Sequence, residues 1–397
     1  MALQTDTETG TEIQPFTIAI PQADIDDLKI RLARTRYADE LPAESFAGKL
    51  EGIPAPPGWE YGVPVAYVQE RIDRWRDGFD WREHEARLNA FPQFITSIDG
   101  QEIHFIHVRS PEPNATPLIL THGWPNMFTE YLGLVGELTD PAAQGGDPAD
   151  AFHVVIPSIP GFGFSGPTRE PGWNAARTAA AWAELMHRLG YERYGAHGND
   201  AGAIISPILG EIDREHVIGV HVNQIFSFPK GEPGEFEGLT EAEVGYLQFG
   251  QSFIEHAIHD RSMSNQPQTL AHGLADSPAG QLAWMGQLLG DVVPVDDLLT
   301  IASLFWFTNT SASAARFYFE NRAWFATHAG ERQGAVTSVP IGLASFAFDF
   351  KAIRKFADRD HSNIVHWNDY DRGGHWAAHD APNLLIRDIR EFFRKVR

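Results

Sequence analysis

The sequence predicts an α/β fold, a mostly parallel sheet with helices on both faces. Three observations predict it. From Ile103 onward, short apolar runs bounded by turn residues alternate with stretches of helical periodicity. One such run, ending at His197, meets a helix across Gly198-Asn199-Asp200-Ala201-Gly202. Two further polar residues, Asp349 and His375, each follow a later apolar run.

The elements follow in chain order. Before Ile103 the chain reads as helices and proline-rich loop. Ile25, Leu28, Ile30 and Leu32 mark one helix, and 67–75 another. Between them, 52–64 holds four prolines, which favour extended chain or turns. Residues 104–108, 118–120 and 154–156 read as short strands, and 173–189 as a helix. Tyr194 to His197 is short enough for a buried strand end. After it, Ile204, Ile205, Ile208, Leu209 and Ile212 recur at helical spacing. Residues 219–223 look like the next strand. From about 225 to 334 the alternation is lost and the chain reads as helices, inserted before the last strands. Residues 339–348 and 363–367 are strand-like, and the final helix starts near Pro382 with Leu385, Ile389, Phe392 and Val396 on one face. The expected division is an N-terminal helical and loop domain (1–100), a sheet core in two parts (101–225 and 336–397) and a helical cap (226–335).

Composition bounds the function. At 397 residues the chain exceeds the usual single-domain size, so a core with an extension or insertion is expected. A formal charge of −22 argues against nucleic acid and anionic membranes, which are held by basic patches. With no cysteine there is neither a disulfide framework nor thiol catalysis. The first residues, 1–14, are polar and acidic, unlike a secretory signal. The longest stretches free of charge, 151–168 and 298–315, are broken by Pro and Gly or rich in Ser, Thr and Asn, short of the about 20 apolar residues a spanning helix takes. A soluble, cytoplasmic protein without a membrane anchor is expected.

The five residues around Asp200 carry the chemistry. The strand–turn–helix context is that of a nucleophile elbow, with an aspartate where a hydrolase of this fold normally holds serine. Held there, a carboxylate attacks carbon and forms an ester between enzyme and substrate. Taken alone, G-x-D-x-G is a surface turn. The order nucleophile, acid, histidine, met by Asp200, Asp349 and His375, makes the case for an α/β-hydrolase core. Three decoys fall away. Gly161-Phe162-Gly163-Phe164-Ser165-Gly166 fits a dinucleotide loop, but prolines flank it and no helix opens there. His375 and His379 have zinc-helix spacing, yet Trp376 stands where the glutamate of H-E-x-x-H belongs. Ser165 lacks the second glycine of G-x-S-x-G. Neither a metal nor a cofactor is expected.

His122-Gly123-Trp124-Pro125, the Pro160–Gly166 run, the aspartate elbow and Gly373-Gly374-His375-Trp376 together resemble the microsomal-type epoxide hydrolases. The resemblance extends through 13–94, including Leu41-Pro42, Trp59-Glu60-Tyr61-Gly62 and 88–94, and leaves out only about the first dozen residues. It implies hydrolysis of a small apolar epoxide to a vicinal diol, with water as the only co-substrate, and a homodimer as the family-level guess. It further implies that Asp200 opens the ring and that His375, oriented by Asp349, activates water against the ester. Backbone N–H groups of Trp124 and Ala201 are the candidate oxyanion donors.

The resemblance also implies two cap tyrosines on the epoxide oxygen. Tyr318, in Arg316-Phe317-Tyr318-Phe319, matches one; the other falls on His259, a candidate second donor. Imidazolium is a stronger acid than phenol and titrates near neutrality, so His259 predicts activity that falls as pH rises. Two more departures bear on the pocket: Pro125-Asn126-Met127 where the family has Pro-Gly-Ser, and Ala201 in place of a frequent tryptophan. The alternatives are a haloalkane dehalogenase-like hydrolase using the same aspartate, against which Ala201 counts, and a binding protein that kept the hydrolase shell.

Overall fold

A computed structural model describes residues 12–42, 58–328 and 337–397. Nine strands form a single sheet: β1 (Gln14–Phe16), β2 (Gln93–Ile98), β3 (Gln101–Val108), β4 (Thr116–Thr121), β5 (Phe152–Pro157), β6 (Tyr194–Gly198), β7 (Val217–Val222), β8 (Ile341–Ser345) and β9 (Ile364–Asp369). Their spatial order is β1-β2-β3-β5-β4-β6-β7-β8-β9. The β1, β2, β3 and β5 pairings are antiparallel; every pairing from β5 through β9 is parallel. β4 to β8 are buried along most of their length, β6, β7 and β8 entirely, because helices cover both faces, whereas the edge strand β9 fully buries only His366. This is the α/β-hydrolase fold.

The helices sit where apolar periodicity puts them. Ala175–Arg188 opens on Asn174, whose side chain accepts from the N–H groups of Ala176 and Arg177. Pro382–Val396 buries Leu385, Ile389 and Phe392 against the sheet. Ala201–Ile212 follows β6 directly. Two details differ from the reading of the sequence. Ile30 lies on the solvent side of the Gln22–Ala33 helix, which buries Ile25, Leu28 and Leu32. Ile212 is exposed at the end of its helix.

A larger difference concerns where the sheet begins. The segment before Ile103 supplies β1 and β2 as well as helices, so the sheet starts at Gln14. The edge strand β1 is held on β2 by backbone register, Gln14 opposite Ile95 and Phe16 opposite Gln93, and shows little of the apolar alternation that reveals a strand. Part of the proline-rich stretch, residues 52–57, lies outside the described residues.

Between β7 and β8 the chain runs through helices Glu241–His256, Ile258–Asn265, Pro267–Asp276, Pro278–Leu289, Val295–Thr308 and Ser311–His328. Residues 225–240, read from sequence as the start of this helical stretch, form no helix. Instead the Glu235 carboxylate gathers the N–H groups of Lys230, Gly231 and Glu232 and the Arg359 guanidinium. The helices then start at Thr240 with a reciprocal capping box to Glu243. Residues 329–334 lie outside the described residues. The N-terminal segment grips this insertion: the Trp75 indole donates to Ser303, Arg74 pairs with Asp296, and Thr300 bonds His84. Among the described residues no helix is long and apolar enough to cross a membrane.

Candidate active site

Asp200 sits at φ 54°, ψ −117°, a conformation that costs a non-glycine residue about 1–3 kcal/mol and persists only where its surroundings enforce it. Close packing of the backbone does so here. A Cβ on Gly202 would strike the Thr121 carbonyl, and one on Gly123 would overlap the Asp200 carboxylate itself. The turn is therefore pressed against the end of β4. It projects the carboxylate from the start of a helix, whose positive end favours a negative charge.

The three residues read from sequence meet. His375 Nδ1 lies 2.7 Å from Asp349 Oδ1, and His375 Nε2 lies 3.3 Å from Asp200 Oδ2. Burial works against charge on His375, but the carboxylates of Asp349 and Asp200 outweigh it and hold the imidazole well above its ordinary pKa. That direction favours a proton held on His375 between Asp349 and Asp200. Asp349 is not on a strand but in the loop after β8, where its Oδ1 also accepts the Phe350 N–H at 2.7 Å. Trp124 N–H donates to Asp200 Oδ1 at 3.0 Å. The Ala201 N–H has no partner among the described residues, so it is free to receive developing negative charge.

Sequence reasoning missed the side chains that hold this set together. Gln224, two residues past β7, accepts from the Asp200 N–H at 2.9 Å and donates to Asp349 Oδ2 at 2.5 Å. It also donates to Asn199 Oδ1 at 2.7 Å. Asn199 in turn donates to the His375 carbonyl at 2.9 Å and to Glu130 Oε1 at 2.8 Å. Glu130 is fully enclosed, and burial pushes its carboxyl up to about 8, so it is mostly protonated at neutral pH. The one available signal was the polar pair Asn223-Gln224 directly after an apolar strand; Glu130 offered none.

Above the carboxylate stands an aromatic group from the insertion. Tyr318 lies edge-on to Trp124, with ring centroids 6.0 Å apart, and edge-on to His259 at 6.2 Å. His259 stacks on Trp124 at 5.6 Å. Both candidate donors thus flank the same indole beside Asp200. Burial, with the charges of Asp200 and Asp260, keeps the Tyr318 phenol well above its ordinary pKa and therefore protonated. Burial drives His259 down to about 4, so the expected imidazolium near neutrality is corrected: the ring is neutral there. Solvent withheld from the cation outweighs the attraction of Asp200.

The decoys are structural. Residues 161–166 form a tight turn with a short 3₁₀ segment, Gly163–Ser165, and the next helix begins only at Ala175. Ser165 Oγ donates to Ser158 O and accepts from His104 N, both buried ties. His379 turns away from His375 to Asn126, whose Nδ2 lies 3.0 Å from its Nε2. Two groups elsewhere bring metal-type ligands together. His221, His366 and Asp388 are fully buried with their facing atoms engaged by hydrogen bonds at 2.8 Å; His187, Asp213 and His216 lie near the starts of β6 and β7.

The carboxylate lines two hollows, which also share Phe226, Asp260 and Tyr318. One, of about 430 Å³, is walled by aromatics including Phe249, Phe253 and Phe350 and reaches His375. The other, of about 640 Å³, runs past Ala201 between the Ile258–Asn265 and Ser311–His328 helices. Volumes of this size suit a small organic ligand.

Comparison with known proteins agrees with this geometry. Residues 13–131 match the family described as "Epoxide hydrolase N terminus". A candidate epoxide hydrolase of Stigmatella aurantiaca is 40% identical, over 97% of this chain and 86% of its own length. "Epoxide hydrolase 1" of Sus scrofa is 31% identical, over 96% and 88%. Among solved structures, the Aspergillus niger epoxide hydrolase superposes with a TM-score of 0.82 at 28% identity, covering 98% of each chain. Motifs, fold and relatives coincide along nearly the whole length, and the chain belongs to the microsomal-type epoxide hydrolase family.

Proposed function

We propose that this enzyme hydrolyses an epoxide through an ester on Asp200, with Tyr318 and His259 as proton or hydrogen-bond donors to the ring oxygen. The observation that carries the reading is an aspartate at the elbow, one oxygen held by an amide and the other 3.3 Å from a histidine that is bonded to a second aspartate.

The two oxygens then have distinct roles. Oδ2 attacks a ring carbon; the C–O bond of the epoxide breaks, and Tyr318 protonates the departing oxygen. Esterification removes the charge of Asp200, one of the two that hold the proton on His375. The imidazole's pKa drops and its proton passes, by way of water, to the phenolate left at Tyr318, which restores the phenol and makes His375 a base at the stage where one is needed. Water attacks the Asp200 Cγ, giving its proton to His375. Negative charge gathers on Oδ1, which already accepts from the Trp124 N–H, with the Ala201 N–H as the second candidate donor. Collapse breaks the bond from Cγ to the substrate oxygen, which takes a proton from His375 as the diol leaves; the new carboxyl then gives its proton back to His375 and is a carboxylate again. A dehalogenase reading is not favoured: the family is that of epoxide hydrolases, and Ala201 offers no side-chain donor to a halide.

The test is a single turnover on styrene oxide in heavy-oxygen water, followed by mass analysis of the peptide carrying Asp200. Label in Asp200 is expected, and Asp200→Asn should abolish diol formation because an amide is a far weaker nucleophile. Diol made at undiminished rate by a sequence-verified Asn variant would sink the assignment.

A further inference from the structure

The helix that starts at the nucleophile, Ala201–Ile212, ends at Asp213, about 18 Å away by the rise of its 12 residues. The Ala175–Arg188 helix packs beside it and carries His187 in its last turn. His216, one residue before β7, completes a group of three at the end of the sheet opposite the chemistry. The proposed reaction uses none of them.

Two of the three are held in place by their neighbours. The His216 N–H donates to the Asp213 carbonyl at 2.9 Å and the Tyr194 N–H to the His216 carbonyl at 3.0 Å, which ties this turn to β6. His216 Nδ1 lies 2.8 Å from the Glu192 carbonyl. A carbonyl only accepts, so Nδ1 carries the proton and Nε2 keeps its lone pair. The Asp213 carboxylate is buried and accepts the Tyr194 hydroxyl on Oδ2 at 2.5 Å. Metal-binding imidazoles and carboxylates are commonly oriented by outer partners of this kind. His187 is exposed, and its ring meets His216 edge-on with centroids 4.6 Å apart.

The spacing suits a small dication. Ligand atoms that share a tetrahedral zinc at about 2.0–2.1 Å stand about 3.3–3.4 Å from one another. His187 Nε2 is 3.3 Å from Asp213 Oδ2. One ligand atom from each of the three residues lies within 4.8 Å of the others, so a small shift closes the set. Both helices also turn their C-terminal, partly negative ends toward this point, which favours a cation. The buried group His221, His366 and Asp388 is different. His197 faces His221 Nδ1 and Lys395 donates to His366 Nδ1, while both Nε2 atoms face Asp388, so no imidazole lone pair is left for a metal.

We propose that His187, Asp213 and His216 form a zinc site, with water in the fourth position, that clips the ends of the two helices together. Two imidazoles and a carboxylate suit Zn²⁺, whereas Mg²⁺ and Ca²⁺ take oxygen ligands. The site stands whether or not the chain opens epoxides.

The test titrates Zn²⁺ alone into the full chain, freed of any affinity tag and stripped of metal, by isothermal calorimetry. One equivalent per chain should bind, and Mg²⁺ should not. With free Zn²⁺ about 100-fold above the measured Kd, the melting temperature should rise by about 3 °C. Loss of an outer partner alone weakens metal sites about 10–100-fold, so His187→Ala and His216→Ala should each weaken binding at least about tenfold and remove the rise. His187 is exposed, so its variant tests the site without disturbing the core. His272→Ala, at an exposed position on the insertion, should change neither reading. Crystals grown with one equivalent of Zn²⁺ should show its anomalous signal between His187 and His216. No stoichiometric binding to the parent chain, or binding unchanged in both histidine variants, overturns the site. Binding with no rise in melting temperature overturns the clip, since the unfolded chain would then hold the metal equally well.

Discussion

Two residues on one helical insertion and one on the core divide the reaction between them. In the proposed mechanism Tyr318 serves ring opening and His375 serves ester hydrolysis, so their loss should be visible in different steps. His375→Gln keeps the Asp200 nucleophile and lacks the base, so enzyme plus substrate should accumulate in intact-protein mass spectrometry. A folded variant that binds a reactive epoxide yet forms no adduct contradicts the two-step route. Tyr318→Phe should slow single-turnover alkylation about 10²–10⁴-fold, the usual worth of a positioned acid, and leave hydrolysis of a preformed ester unchanged. His259 is a weaker partner than its residue type suggests, because burial leaves it neutral above about pH 4. His259→Phe should therefore cost less than Tyr318→Phe, and alkylation should show no step between pH 6 and 8 traceable to His259. A step in that range that vanishes in His259→Phe would mean the ring is charged, contrary to its enclosure.

At the scale of elements, the site is a meeting of strand ends, with β6 supplying the elbow and the segment after β7 supplying Gln224. Gln224 is a positioning residue: it ties the nucleophile's own N–H to the acid that orients His375. Removing a hydrogen bond to a charged group costs about 1.5–3 kcal/mol. Gln224→Ala should accordingly slow ester hydrolysis about 10- to 100-fold and shift the pH dependence of that step, while a change in stability alone would leave the profile in place. Asp200, Asp349 and His375 were legible because each belongs to a local motif or follows a strand whose apolar run is plain. Gln224, Asn199 and Glu130 were not, since their roles arise from contacts between segments separated by 24 to 176 residues in the chain. The same reason hid β1: an edge strand is specified by its partner's backbone, and Gln14-Pro15-Phe16 carries no periodic signal of its own. The charge state of His259 was also out of reach, because burial is a property of the fold around a residue.

On the scale of the whole molecule, catalysis depends on holding the insertion over the sheet, and the N-terminal segment does part of that. Trp75 is almost fully enclosed, and its indole N–H reaches Ser303 Oγ at 3.0 Å across 228 residues of chain. Arg74 to Asp296 and Tyr67 to the Gly290 carbonyl act at the same junction, one exposed and one half-buried. The exposed ion pair contributes little, since solvent screens it. The buried tryptophan carries the weight. Trp75→Ala removes a large side chain from a packed site and leaves Ser303 without its donor, so unfolding free energy should fall by about 3–5 kcal/mol. The kinetic consequence is the more specific one. In the proposed mechanism ring opening needs Tyr318, which rides on the insertion, as well as Asp200, whereas ester hydrolysis needs only Asp200, Asp349 and His375, all outside it. A loosened insertion should therefore depress alkylation more than hydrolysis, and Trp75→Phe, which restores most of the volume, should recover much of the rate. Single-turnover rates for both steps, measured well below the variant's melting temperature, check this. Equal slowing of the two steps would show that the N-terminal segment supports the fold as a whole and has no particular hold on the acid.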